Sequence, residues 1–281
     1  MRDQVNSEKT TPILPITVYR SLMTDSPSFL TFLIITWMLA MISLPIMKWI
    51  WGDGIVPFGL SLGVFLQATA VFFILRERWG WQKTVGTAVL IAALTLFVEW
   101  LGSTTGFPFG GYSYTDLMQP QIAHVPVLIP FAWFMMLPAA WAVAHLIQKQ
   151  LSAKWATNRW LYPLLAGLAL TAWDLFLDPQ MVAWGLWAWD DPGGYFGIPW
   201  SNYAGWLGTA VLLTALIQPK KLPILPLLII YTITWFLETF GLLFFWGLAG
   251  PALVGGVVMG IFVWLGWRSV FSKQYSVIGI Q

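Results

Sequence analysis

Hydrophobic runs of about 20 residues, the length a helix needs to cross a hydrocarbon layer roughly 30 Å thick, follow one another along almost the whole chain. Eight can be read, at 28–48, 55–76, 83–101, 126–148, 160–178, 201–218, 223–246 and 250–268. The sixth and the eighth are short and glycine-rich. Only 9% of the 281 residues are charged, against about 25% in soluble domains, so too few polar side chains exist to clothe a water-facing surface. The expected class is all-α: a polytopic integral membrane protein with about eight transmembrane helices. Residues 1–25 read as a short N-terminal segment, 26–270 as one transmembrane domain and 271–281 as a C-terminal tail. The first run starts near Phe29, too far along and too long for the apolar core of a signal peptide. Pro45, Pro126, Pro130, Pro138 and Pro163 fall in or beside runs, which membrane helices tolerate.

The basic residues test that count. With eight crossings, 13 of the 14 Lys and Arg residues fall on one side and only Lys48 on the other. Basic loops face the cytoplasm, so both termini are expected there. The two long connections of the opposite side, 102–125 and 179–200, carry no Lys or Arg. The first contains "GSTTGFPFGGYSYTD" and the second "GLWAWDDPGGYFGIPW", which echo each other locally without a full-length repeat. An interfacial aromatic belt would account for single tryptophans here. Two such loops, both bearing acids, ask for more.

Acidic residues inside a bilayer are costly and mark function by default. Four stand out: Glu99 in "LFVEWLG", Asp174 and Asp178 in "TAWDLFLDPQ", and Glu238 in "TWFLETFG". At 1.5 Å per residue, Glu99 lies roughly 24 Å along its helix from Lys83, Asp174 roughly 22 Å from Arg159 and Glu238 roughly 25 Å from Lys221. All three therefore share one depth, just beneath the aromatic loops. Asp174 and Asp178 are four apart and share a helix face. A carboxyl in apolar surroundings without a cation resists ionisation and can serve as a proton donor. For Asp178, directly before Pro179, contact with interfacial water is an equal alternative.

Other chemistries are excluded by inventory. The chain has no cysteine and two histidines, His124 and His145, at opposite ends of one run. Thiolate, Fe–S and histidine-cluster iron sites are thus out of reach. No phosphate-binding glycine loop, dinucleotide motif or Ser-His-Asp arrangement is readable. No metal site, cofactor or nucleic-acid partner is expected. Two function classes remain. In one, a carboxylic acid protonates an alkene and aromatic faces shelter the resulting cation until water adds. In the other, the acids form the path of a proton- or ion-coupled transporter. A membrane prenyltransferase built on "DLFLD" is a weaker third, because no second acidic motif and no nearby cation would hold a diphosphate.

The stretches "EWLGSTTGFPFGGYSYT", "WDLFLDPQMV", the pair Trp187 and Trp189, and "GGYFGIPWSNYAGW" resemble membrane carotenoid-biosynthesis proteins of the carotenoid 1',2'-hydratase type. That group includes γ-carotene 1'-hydroxylases and bisanhydrobacterioruberin hydratases. The resemblance runs from about Glu99 to Trp206. It implies addition of water to the terminal double bond of a ψ end group on an acyclic or monocyclic carotenoid such as lycopene or γ-carotene. It also implies residence in a bacterial or archaeal cell membrane, with membrane lipids and other carotenoid-biosynthesis enzymes as candidate partners. From chemistry and position, Asp174 and Glu99 are the first expected catalytic residues, one as acid and one as base, with Asp178 and Glu238 next. Tyr112, Tyr114, Asn202 and Tyr203 are expected to position water, and Trp100, Trp173, Trp200 and Trp235 to line the substrate.

Overall fold

A computed structural model of the protein describes residues 27–151 and 158–278. The expected N-terminal segment lies outside the described residues, together with Arg2, Lys9, Arg20 and Lys154 of the charge count. Among the described residues the chain forms seven helices: α1 Pro27–Trp51, α2 Val56–Thr105, α3 Leu128–Gln148, α4 Leu161–Ala183, α5 Trp200–Ile217, α6 Ile224–Phe244 and α7 Ala249–Ile278. Six of them are long and apolar enough to cross a membrane. The protein is thus a multi-pass, mostly helical membrane protein. The helix outside the six is α5, one of the two runs that read as short and glycine-rich; the other lies within the 30-residue α7.

Helix α2 holds two of the expected runs. Its 50 residues would reach about 75 Å if straight, far beyond any bilayer. It folds back at Gly80, whose φ of 75° and ψ of 174° lie in a region essentially closed to residues with a Cβ. The two arms then run side by side: Phe65 and Phe72 of the first share one groove with Ala88 and Ala92 of the second. The turn is tied down by Trp79, whose indole N–H donates to the Lys220 carbonyl at 2.8 Å.

Burial differs sharply between helices. In α3, 18 of 21 residues are buried, and its Pro138–Ala139–Ala140 stretch is small enough for neighbours to approach closely. It forms the centre of the bundle, against α2, α4, α6 and α7. Helix α1 is peripheral, packing mainly on α2 and showing Phe32, Leu39, Ile46 and Trp49 to the outside.

The two aromatic loops meet. Tyr112–Tyr114 (β1) and Trp187–Trp189 (β4) pair as an antiparallel ribbon, with Tyr112 opposite Trp189 and Tyr114 opposite Trp187. Backbone bonds from Asp190 N to Gly111 O (2.9 Å) and from Thr115 N to Leu186 O (3.0 Å) extend it. A smaller hairpin, Gln121–Ile122 (β2) with Val125–Pro126 (β3), leads into α3. Side chains alternate across a strand. Tyr112, Trp187 and Trp189 are accordingly buried and Tyr114 partly so, while Ser113 and Ala188 are exposed. The ribbon is a cap on the bundle with one aromatic face turned inward.

Candidate active site

Beneath the cap lies a cavity of about 510 Å³. Glu99, Asp178 and Glu238 line it together, among the rings of Trp37, Tyr112, Trp173, Trp187 and Trp206. Three of the four expected acids thus open onto one space.

Glu99 sits on the last turns of α2 and is 4% exposed. Its Oε2 accepts from the hydroxyls of Tyr112 at 2.6 Å and Tyr114 at 2.8 Å, and its Oε1 from the indole N–H of Trp133 at 3.1 Å. Two residues apart on a strand, the tyrosines share a face, which is why both reach one carboxyl. Burial raises the ionisation of both phenols above the ordinary tyrosine range, and the Glu99 charge raises it further. Both therefore remain neutral donors. Three donors on one carboxyl group fix its orientation.

Asp174 and Asp178, one turn apart on α4, are joined through Asn202 of α5. The Asn202 amide donates to Asp174 Oδ2 at 2.9 Å and also to Asp178 Oδ2. The indole N–H of Trp187 donates to Asp178 Oδ1 at 2.7 Å. Asp178 faces the cavity, whereas Asp174 is wholly buried behind it, its Oδ1 without a partner among the described residues. Glu238 lies on α6, with the Trp173 indole and the Gln180 amide as its polar neighbours. It is less enclosed than the other acids.

The remaining expected residues divide. Tyr112, Tyr114, Asn202 and Trp173 line the cavity. Tyr203 does not; it is buried against Tyr195, with ring centroids 5.4 Å apart, its hydroxyl unpartnered among the described residues. Trp100 is 41% and Trp200 63% exposed, and Trp235 turns its N–H to the Gly256 carbonyl at 2.7 Å. None of these three tryptophans is in the wall. Trp100 follows Glu99 on its helix, and the one-residue step turns it about 100° away to the outer surface.

Several further residues in and behind the wall were not singled out in the sequence. Trp133 and Trp206 stack with centroids 4.2 Å apart and planes within 10°, Trp133 holding Glu99 at the same time. Gln67 donates to Thr234 Oγ1 at 3.1 Å on the cavity floor. Phe109, 1% exposed, wedges the cap into the bundle between Gly102 and Gly205. A Cβ at Gly102 would come 2.6 Å from its ring. Among the described residues no three of His, Cys, Asp and Glu are arranged to hold a metal ion.

A family model described as carotenoid biosynthesis protein matches residues 59–262, which runs from the start of α2 into the first half of α7 and takes in every residue of the cavity from Leu60 onward. The chain belongs to this family. Across 168 residues it is 37% identical to a bisanhydrobacterioruberin hydratase from Haloarcula japonica, covering 56% of this chain and 53% of that one. The match thus spans about half the length of that relative. No solved structure matches the chain.

Proposed function

We propose that this protein is a carotenoid hydratase, adding water across the terminal ψ-end double bond of an acyclic or monocyclic carotenoid. The observation that carries the proposal is a single apolar, ring-walled cavity onto which Glu99, Asp178 and Glu238 all open. Membership of the carotenoid biosynthesis family and likeness to a hydratase favour this reaction over ion transport.

In the proposed mechanism the Asp174–Asp178 pair is the acid. Two carboxyls bridged by one amide repel each other when both are charged, so the pair retains a proton. Asp178, on the cavity wall, delivers it to the less substituted alkene carbon; the π electrons form the new C–H bond and leave a tertiary cation. The faces of Trp173 and Trp206 on the cavity wall shelter that cation through their quadrupoles, Trp133 backing Trp206 as a stacked second ring. Glu99, held by its three donors, orients a water molecule and takes its proton as the C–O bond forms. Proton return from Glu99 to the aspartate pair closes the cycle. The sum is H and OH added to one double bond without change of redox state, so no cofactor is required. Glu238 contributes a further polar group facing the reacting end.

The same reading includes eight crossings, the two arms of α2 and the short α5 each counting as one, with both termini in the cytoplasm of a bacterial or archaeal cell. The cap and its site then face the other side. The deciding experiment compares wild type with Glu99→Gln and Asp178→Asn in vesicles containing a ψ-end carotenoid such as lycopene or γ-carotene, without any ion gradient. Hydroxylated product from the wild type alone supports the proposal. Full turnover in both folded variants would refute the assignment, and absence of product from the wild type would refute the reaction.

A further inference from the structure

The cavity is walled unevenly. On the α1 side its lining runs from Trp37 to Trp49, about 18 Å of helix, and on the α6 side from Thr234 on the helix to Phe245 and Trp246 just past its end. Several of these residues also face outward: Ile42, Ile46 and Trp49 on α1 are 48%, 47% and 66% exposed, and Phe236 and Phe240 on α6 and Phe245 just after it are 55%, 45% and 39% exposed. A residue that both lines a cavity and faces out marks an opening, here a slot between α1 and α6. The two helices are fastened at its loop end, where Trp49 meets Phe245 with centroids 5.7 Å apart and the Lys48 ammonium sits 5.1 Å from the Trp246 ring. Below that, Phe236 and Phe240 stack with planes within 12°, a flat aromatic edge beside the slot.

Size decides what the slot is for. A cavity about 18 Å tall occupies little more than half of the roughly 30 Å hydrocarbon layer, and Gln67, Met135, Thr234 and Trp37 form its floor. A carotenoid polyene is at least as long as that layer is thick. It cannot be swallowed whole. Resting on the hydratase reading, we infer that the α1–α6 slot is a lateral portal through which one end group of a long polyene enters the cavity while the rest of the chain stays among the lipid tails. Two-ended substrates are therefore hydrated one end per visit, and the far end goes unread.

The absence of native cysteine permits a direct test. Ile46→Cys combined with Phe240→Cys, bridged by a short bis-maleimide, places a bar across the slot. Two substrates are compared: an acyclic carotenoid with two ψ ends, and a ten-carbon alkene bearing the same end group, small enough to lie wholly inside. The bar is expected to lower carotenoid turnover roughly 100-fold, the scale of a misplaced reacting end, and to lower turnover of the short alkene far less. A carotenoid-to-alkene ratio unchanged by bridging would overturn the portal.

If the unbridged protein hydrates neither substrate, the hydratase reading fails and the portal is judged on binding. Quenching of tryptophan emission by carotenoid that the bar abolishes upholds it, and quenching that the bar leaves intact overturns it. Time courses test the second half of the inference. With substrate in excess, singly hydrated carotenoid should be the sole early product and the doubly hydrated form should lag. Doubly hydrated product from the first turnovers would overturn one-end binding.

Discussion

The cavity has two unlike walls. One, made by α2, α3, α4, α5 and the cap, is enclosed, and its polar groups interlock: Trp133, Tyr112 and Tyr114 on Glu99, Trp187 and Asn202 on Asp178. The other, made by α1 and α6, carries Glu238 on its inner side but is thin and faces outward through aliphatic and aromatic side chains. Reaction chemistry needs groups held within a fraction of an ångström, which only an over-determined network supplies. Passage of a long apolar molecule needs a surface without hydrogen bonds to break. The division of labour between the walls follows from those two demands.

The sharpest way to break the comparison is to remove charge from the enclosed wall. Asp178→Asn and Glu99→Gln keep shape while deleting an acid or a base, and each is expected to lower turnover by about 10² to 10⁴, measured as hydroxylated product per protein. Asp174→Asn, acting through Asp178, should fall less far. Equivalent losses from Phe236→Leu or Ile42→Val on the open wall would mean that the chemistry is not confined to the enclosed one.

Much of the acid layer was legible in the sequence because helical geometry is regular. Counting 1.5 Å per residue from the basic ends put Glu99, Asp174 and Glu238 in one layer, and Glu99 and Glu238 do share a cavity with Asp178. The order of the aspartates was not legible. Residues four apart share a face, yet only the rotation of α4 against α5 decides that Asp178 looks into the cavity and Asp174 at Asn202. What could not be foreseen is how the lid over the site, expected from the loop after Glu99, is built, since pairing Tyr112 with Trp189 joins segments separated by two crossing helices. The misplacement of Trp100 was avoidable, as a one-residue step turns about 100° from Glu99; Trp235, between the wall residues Thr234 and Phe236, is turned away only by its packing on α7, where its N–H reaches the Gly256 carbonyl. Trp133 gave no signal, being an aromatic residue in an apolar helix like any other.

A smaller effect sharpens the role of the cap. Tyr112→Phe and Tyr114→Phe each delete one hydrogen bond to Glu99, worth about 1.5–3 kcal/mol when the acceptor is charged, or roughly a tenfold to hundredfold fall in turnover. Both phenols ionise above the ordinary range, so wild-type turnover should show no loss as pH passes 10. A decline centred there would mean that the tyrosines are solvated and the cap is open.

Packing gives the next test. Gly205→Ala drives a methyl into the Phe109 ring and should cost about 1–3 kcal/mol by overpacking, read as a fall in Tm together with weaker turnover as the cap lifts. On the open wall, a Cβ at Gly241 would meet Trp246 only at an ordinary 3.7 Å. Gly241→Ala should leave Tm unchanged or slightly raised, helix propensity favouring alanine. Equal destabilisation at both positions would erase the contrast between the walls.

The smallest expected effect concerns the ion pair at the loop end of the open wall. Lys48 pairs with Asp53 at 2.9 Å, with side-chain exposures of 35% and 85%, and lies over the Trp246 ring. An exposed pair of this kind contributes about 0–1 kcal/mol, so Lys48→Met should hardly move Tm. Its effect should appear in substrate handling instead. Methionine retains much of the packing on Trp246 but gives up the ammonium, loosening the fastening at the loop end of the slot. Turnover at saturating carotenoid should stay within about twofold of wild type, while the KM shifts, as expected when binding alone is altered. A large fall in saturated turnover would place Lys48 with the enclosed network and break the separation of chemistry from entry.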